Sequence, residues 1–259
     1  MSQNIFDNDL FFCEYMKLRG DKNYNDLLEQ PAMARLLPDL RGKTILDIGC
    51  GYGHNSLLFA QKGAKRVVGI DISQKMLRIA QEQYHHPCVE YRILDMARIG
   101  ELTEKFDVVY SSLAFHYAED FAKLVRDIYD LLNESGILLY SQEHPIVTAT
   151  MDGRGHHNLD AAGAYESYTF SDYAKSGKRA DHWFVDGVVH FHRPMGEIVS
   201  ALAHTGFYIE ELIEPLPDQW ALREKPDLAK EWIKPTFLIV RARKQGRTDT
   251  VEAKAADKK

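Results

Sequence analysis

The sequence predicts an α/β fold in which helices cover both faces of a mostly parallel sheet. Between residues 42 and 140, short apolar runs alternate with segments whose apolar residues recur at helical spacing, which is typical of βαβ units. The chain has 259 residues, 45% of them hydrophobic, enough for one large packed domain. We predict a single domain over residues 1–243 and a disordered tail, 244–259, which has no aromatic side chain.

The alternation begins with a strand at Thr44–Ile48, an apolar run typical of strands buried on both faces. A helix follows over 55–63 and stops at Gly63, because glycine is favoured just after a last helical turn. The helix at 73–84 begins at Ser73, whose hydroxyl suits an N-cap. The remaining elements of this part are predicted as strands at 66–71, 88–94, 106–112 and 136–142 and a helix at 119–132.

The flanking segments break this rhythm. Residues 1–40 are predicted as a helical lid outside the sheet, and residues 143–194 as an insertion on the substrate side, because loops of α/β domains are usually much shorter. Within the insertion, Asp186 and Gly187 predict the turn of a hairpin. The alternation then resumes with a helix at 195–206 and strands at 208–215 and 235–243.

Composition and charge exclude several classes of protein. The chain carries 32 Lys and Arg against 38 Asp and Glu, a formal net charge of −6, whereas nucleic-acid-binding proteins usually have a basic surplus. We expect no membrane span and no secretory signal, since neither apolar pattern is present. Cys13, Cys50 and Cys88 contain no CxxC pair, so we expect free thiols, a cytoplasmic location and no metal site. The oligomeric state is not predicted.

A glycine-rich loop, LDIGCGYGHN at 46–55, follows the first strand, where open α/β sheets bind ligands. It lacks the Lys-Ser or Lys-Thr of a P-loop and the GxGxxG spacing of dinucleotide-binding enzymes, which argues against an NAD-dependent oxidoreductase. Asp47, Asp71 and Asp95 follow or end three consecutive strands. Asp71 suits ribose hydroxyls and Asp95 an exocyclic amine, so the three acids predict a pocket for a cationic nucleoside.

The segments LDIGCGYG, GIDIS and FDVVYSSLAFHY resemble conserved motifs of class I S-adenosylmethionine-dependent methyltransferases. The resemblance is close over about residues 40–140 and is strongest to the small-molecule enzymes, a group that includes ubiquinone/menaquinone C-methyltransferases. It implies a Rossmann-like, doubly wound seven-stranded sheet of order 3-2-1-4-5-7-6 with an antiparallel last strand. It also implies S-adenosylmethionine as cofactor, S-adenosylhomocysteine as product, and a small-molecule substrate rather than nucleic acid.

The same resemblance assigns residues to the cofactor. It implies that the loop and the end of the fourth strand hold the methionyl part, the second strand the ribose, and the third strand the adenine. Tyr15 is expected to cover the cofactor, and Arg19 and Tyr24 lie in the same segment. The cofactor-binding residues expected on this basis are Asp47, Gly49, Cys50, Gly51, Asp71, Ile72, Met76, Asp95, Met96, Ser111 and Tyr15.

His116 is the candidate catalytic base, because it follows the fourth strand and imidazole titrates near neutral pH. The candidates for substrate binding are His144, His192 and Arg193. Glu143 and His190 lie next to them in the sequence pattern and are secondary candidates for the same role. A metal is not required for methyl transfer. The acceptor atom stays open between oxygen, nitrogen and carbon. Methylation of RNA or protein and non-catalytic binding of S-adenosylmethionine remain alternatives.

Overall fold

A seven-stranded sheet forms the centre of the computed structural model, which describes residues 2–20, 22–151 and 155–245. The strands in chain order are β1 (Thr44–Ile48), β2 (Arg66–Asp71), β3 (Val89–Ile93), β4 (Phe106–Ser111), β5 (Leu132–Glu143), β6 (His156–Leu159), β7 (Tyr165–Thr169), β8 (Gly177–Trp183), β9 (Val185–His192), β10 (Phe207–Ile213) and β11 (Phe237–Lys244). The main sheet runs β3-β2-β1-β4-β5-β11-β10. This is the order that the sequence resemblance implied, and it is confirmed.

The register shows why the central strands are apolar. β1 pairs in parallel with β2 and with β4, so that Leu46 lies between Val68 and Val109. All three side chains have no solvent exposure, because helices cover both faces of the sheet. β11 runs antiparallel to both β5 and β10, as expected for the last strand.

Helices begin where short polar side chains cap them. Ser73 accepts a hydrogen bond from the Met76 backbone N–H at 3.1 Å, and Asp120 accepts one from Lys123 at 2.8 Å, as N-caps do. The helices are α1 (Asp9–Leu18), α2 (Gln30–Leu36), α3 (His54–Gln61), α4 (Gln74–Gln83), α5 (Phe121–Leu131), α6 (Pro145–Thr148), α7 (Met195–Thr205) and α8 (Gln219–Glu224).

The core has one part on each face of the sheet. On one face α5 and α7 pack Val125, Ile128 and Leu202 against the central strands. On the other face α2 and α3 contribute Met33 and Phe59, both about 1% exposed. The carboxyl ends of the parallel strands are left uncovered by these helices, and there the insertion and the N-terminal segment meet.

The insertion contains two antiparallel hairpins, β6–β7 and β8–β9, of which the sequence predicted the second. The turn of this second hairpin was expected at Asp186 and Gly187. It lies instead at Phe184, where Trp183 pairs with Val185. Phe184 has a φ of 61°, and its ring stacks on Trp183 at 5.2 Å between ring centres. Packing of these aromatic rings therefore determines the turn, although glycine is the residue that local preference favours there.

The boundary of the predicted tail also differs. Lys244 is the last residue of β11 and pairs with Phe207, and its Nζ donates to the carbonyls of Tyr129 and Leu132. Residues 246–259, the rest of the predicted tail, lie outside the described residues. In the described part of the chain, no helix has both the length and the apolar character needed to cross a membrane.

Candidate functional site

A cavity of about 360 Å³ opens at the carboxyl ends of β1 to β5, beneath the N-terminal segment and Trp183 of β8. Open α/β sheets bind their ligands at this edge. The structure brings many of the predicted site residues into its wall. These are Tyr15, Gly49, Gly51, Asp71, Ile72, Met76, Asp95, Met96 and His116.

The glycine loop reaches the cavity because its backbone turns through left-handed conformations. Gly49 and Gly51 have φ values of 68° and 54°, which side chains with a Cβ rarely adopt. A Cβ on Gly49 would also lie 2.6 Å from the Cβ of Ala114. The loop therefore places backbone, rather than side chains, against the space where a ligand would lie.

Asp71 connects this loop to the start of α4. Its carboxylate accepts hydrogen bonds from the backbone N–H groups of Gly51 at 2.9 Å and Ser73 at 2.8 Å. Burial raises the pKa of Asp71, and these two N–H groups oppose the rise. Each oxygen keeps a lone pair free, so the carboxylate can also accept from two neighbouring hydroxyl groups.

Asp95 lies at the next strand end, where the N-terminal segment reaches it. Its Oδ1 accepts from the Ser2 hydroxyl at 2.8 Å and from the Ala97 N–H at 3.0 Å. Asn4 Nδ2 donates to the Ile72 carbonyl at 3.2 Å. Ser2 was not predicted as a site residue, because only the path of the chain brings it across the sheet edge.

Arg19 directly follows the last residue of α1 and places a cation at the cavity. Its guanidinium carbon lies 5.9 Å from the ring centres of both Tyr15 and Tyr52. Its Nε and Nη1 are buried and have no hydrogen-bond partner, which is costly for a charged group. The residue is thus suited to an anionic part of a ligand.

Three residues expected to hold the cofactor lie behind the cavity wall. Contrary to expectation, Asp47 is 1% exposed and accepts from the Ser56 hydroxyl at 2.6 Å, and burial raises its pKa to about 7. Ser111 is fully buried and donates to the Ile48 carbonyl at 2.8 Å. The Cys50 thiol packs on Gly69 of β2. Each makes contacts that hold the loop, and Ser112, Leu113 and Ala114 line the cavity instead.

His116 lies 4% exposed in the wall at the substrate end. Its Nδ1 accepts the Glu143 backbone N–H at 3.4 Å, which favours the neutral tautomer with its proton on Nε2. Burial lowers the pKa of His116 to about 4. The nitrogen left for a ligand is then a hydrogen-bond donor, whereas the sequence suggested a base.

The three residues expected to bind substrate are engaged elsewhere. His144 caps α6 and contacts Glu214 at 2.8 Å, and His192 lies between the Thr148 hydroxyl and the Tyr173 carbonyl. The Arg193 guanidinium donates to the carbonyls of Ala118 and Glu119. None of the three lines the cavity, because their polar atoms are turned to these partners instead.

Three aromatic residues that were not predicted as site residues, Phe6, Tyr117 and Trp183, complete the wall of the cavity. Phe6 contacts Tyr15 and Tyr117 edge to face, with ring centres 5.1 and 6.0 Å apart, and Tyr117 lies 4.2 Å from the His116 ring. Trp183 lies 6.0 Å from Tyr15. These rings form a continuous aromatic wall, defined here as Phe6, Tyr15, Tyr117 and Trp183, from α1 to the substrate end.

Comparisons with known proteins agree with this geometry. Residues 45–136 match a family model described as a methyltransferase domain. The crystal structure of an S-adenosylmethionine dependent methyltransferase from Mesorhizobium loti is 36% identical, with a TM-score of 0.76, over 83% of this chain and 97% of that one. An uncharacterized protein from Haemophilus influenzae is 37% identical over 93% of this chain and 97% of its own length.

A more distant relative carries a name that includes its acceptor. The malonyl-[acyl-carrier protein] O-methyltransferase of Acetivibrio thermocellus is 33% identical over 131 residues. The match spans 48% of this chain and 46% of that relative. The similarity therefore spans less than half the length of that relative.

Proposed function

We propose, from the premise that the chain belongs to the S-adenosylmethionine-dependent methyltransferases, that its acceptor is a small molecule enclosed beneath the insertion. The observation that carries the proposal is the cavity itself, which runs from Asp71 and Asp95 to His116 and Glu143. Its volume lies in the range of small-molecule sites. A macromolecular acceptor would instead need an open surface at the substrate end.

The residues of the cavity fit S-adenosylmethionine, which supplies a methyl group bonded to a positively charged sulfur. Asp71 would accept from the ribose hydroxyls and Asp95 from the adenine amine. The buried and unpartnered nitrogens of Arg19 would receive the carboxylate of the methionyl part. The backbone of Gly49 and Gly51 would lie against the same part, since no side chain intervenes.

The protein contributes mainly by orientation, because methyl transfer from sulfur is an in-line displacement that needs close alignment of the acceptor. The aromatic wall provides a rigid apolar surface for an acceptor. We propose that the Nε2–H of His116 donates to the acceptor and fixes its position. The malonyl-[acyl-carrier protein] O-methyltransferase from Acetivibrio thermocellus supports a small acceptor group, since the malonyl group in its name is small. We propose that the enzyme works in the cytoplasm, as its three free cysteines suggest.

A transfer assay tests this function. The protein is incubated with methyl-labelled S-adenosylmethionine and a cell extract divided into a small-molecule fraction and a macromolecular fraction. We expect label in the small-molecule fraction. Label confined to RNA or protein would contradict the small-molecule acceptor, and binding of S-adenosylhomocysteine without transfer to either fraction would contradict catalysis.

Asp71→Ala tests the cofactor site in a separate binding experiment. We expect it to weaken binding of S-adenosylhomocysteine by roughly 1–3 kcal/mol, because the ribose hydroxyls lose a charged acceptor. Isothermal titration calorimetry measures the change. An exposed acid that contacts nothing in the cavity, Glu82 on α4, gives the control Glu82→Ala, whose affinity should equal that of the unchanged protein.

A further inference from the structure

Glu143 ends β5 at the substrate end of the cavity and lines it. Its side chain is 28% exposed, but its Oε2 is enclosed and forms no hydrogen bond. Within the described residues its one ion-pair contact is the Nδ1 of His190, 3.6 Å from Oε2. An enclosed carboxylate oxygen without a hydrogen-bond partner is costly, so Oε2 is placed to accept a hydrogen bond from a bound molecule.

His190 lies between Glu143 and a second carboxylate, that of Asp181, which is farther from the cavity. It is 9% exposed, and its Nε2 lies 3.0 Å from Oδ2 of Asp181. The Asp181 side chain is 33% exposed on β8. Glu143, His190 and Asp181 thus lie in series from the cavity to the surface. Neither contact is a hydrogen bond, because Glu143 and His190 are 3.6 Å apart and the His190 Nε2 has no hydrogen-bond partner, so His190 is a neighbour that positions the Glu143 carboxylate.

The other groups around Glu143 do not replace it as a proton acceptor. His116 has its Nδ1 on the Glu143 backbone N–H, so its free nitrogen carries a proton. Burial raises the pKa of Tyr117, which keeps that hydroxyl neutral. Lys234 is electrostatically coupled to Glu143, and burial lowers its pKa, but its ammonium lies over the Tyr168 ring at 5.2 Å.

The cations that line the cavity lie against other residues. Arg19 lies against Tyr15 and Tyr52, and Lys225 lies over the Tyr24 ring at 4.9 Å. An acceptor with a carboxylate as its nucleophile would place a second anion beside Glu143, which is unfavourable. An acceptor with a proton on its nucleophile would instead donate that proton to Glu143.

We propose that Glu143 is the catalytic proton acceptor, and that the acceptor molecule is methylated at an amine or hydroxyl group rather than at a carboxylate. The N–H or O–H bond breaks and its proton passes to the Glu143 carboxylate, while the nitrogen or oxygen uses its electron pair to bond the methyl carbon. The carbon–sulfur bond breaks with its pair left on sulfur. This inference rests on the proposed function and narrows its acceptor class.

The product of the labelled transfer assay tests the acceptor class. Methyl esters release labelled methanol in alkali, whereas methylated amines and ethers do not. We expect an alkali-stable product, with the label on nitrogen or oxygen by mass spectrometry. An ester or a carbon-methylated product would overturn this proposal and leave methyl transfer standing. Absence of any product from protein that binds S-adenosylhomocysteine would contradict the proposed function itself.

Variants test the residue. Glu143→Gln keeps the shape of the side chain and should lower kcat by about 100-fold, the usual range for loss of a general base. Its affinity for S-adenosylhomocysteine and its Tm should not change. Glu82→Gln, on the exposed face of α4, is the matched control. Unchanged kcat in Glu143→Gln would overturn the role of Glu143.

His190→Gln separates a positioning role from a merely structural one. We expect a smaller loss of kcat than in Glu143→Gln, with KM for the acceptor nearly unchanged, because His190 contacts Glu143 and does not line the cavity. The double variant should lose no more than Glu143→Gln alone. Additive losses would show that His190 acts independently of Glu143, which would overturn its positioning role.

Discussion

Asp47 shows how one buried carboxyl links the fold to pH. Its hydrogen bond from Ser56 joins the end of β1 to α3, and burial raises its pKa to about 7. The ordinary value is 3.8. Between these values the folded protein holds a proton that the unfolded chain has released, so stability from this group declines as pH rises through the window.

We expect Asp47→Asn to remove that decline, because the amide does not titrate. Relative to the unchanged protein, the variant should gain stability as pH rises from about 4 to 7, on the order of a few kcal/mol. Urea unfolding at several pH values measures the difference. A constant difference in unfolding free energy across the range would contradict the raised pKa.

At the scale of elements, the N-terminal segment Ser2–Asp7 attaches the cofactor side to the insertion. Asp7 accepts from the Ser73 hydroxyl at 2.6 Å and the Lys75 N–H at 3.1 Å. The side chain of Gln3 bonds both the Gly187 carbonyl and the Val189 N–H of β9 at 2.8 Å. The six residues Ser2–Asp7 therefore contact both the strand ends beside the cavity and the β8–β9 hairpin.

We expect Asp7→Ala to lower the free energy of unfolding by about 1 kcal/mol, since the first turn of α4 loses acceptors for its N–H groups. It should also weaken binding of S-adenosylhomocysteine, because Ser2 and Asn4 lose their anchor. Denaturant titration and calorimetry measure the two effects. Asp9→Ala removes an exposed ion pair with Lys75 and should have little effect.

The elements differ in how far the sequence determines them. The strands of the sheet and the capped helices followed from apolar runs and from residues such as Ser73 and Gly206, because local preference and burial agree there. In the insertion they conflict. At the turn, Trp183 and Phe184 pack on Phe11 of α1. His192 lies between Thr148 and Tyr173. Neither arrangement has a local pattern in the sequence.

At the scale of the whole molecule, the half-buried guanidinium of Arg193 attaches the end of the insertion to the segment that follows β4. Arg193 donates to the Ala118 and Glu119 carbonyls and lies 5.3 Å from the Phe121 ring centre. These partners directly follow His116 and Tyr117 along the chain. The sequence placed Arg193 near the substrate end but could not tell whether it would bind substrate or backbone, since both offer acceptors for a guanidinium.

We expect Arg193→Met to reduce the free energy of unfolding by roughly 1–3 kcal/mol, because two carbonyls lose their donors. Urea unfolding followed by circular dichroism measures this loss. His182→Ala removes an exposed contact with Asp186 on the same hairpin and should change stability by less. Equal effects of the two substitutions would contradict an attachment through Arg193.

The contact between Ser2 and Asp95 has a practical consequence for handling the protein. The Ser2 backbone nitrogen lies 3.3 Å from the Asp95 carboxylate, at the place where the adenine is expected. An affinity tag fused to this end would have to leave across the rim of the cavity. β11 ends beside the amino end of β5, where Arg243 pairs with Ile137, at the edge of the sheet opposite the cavity. A tag placed after β11 is therefore the sounder choice for any measurement of ligand affinity.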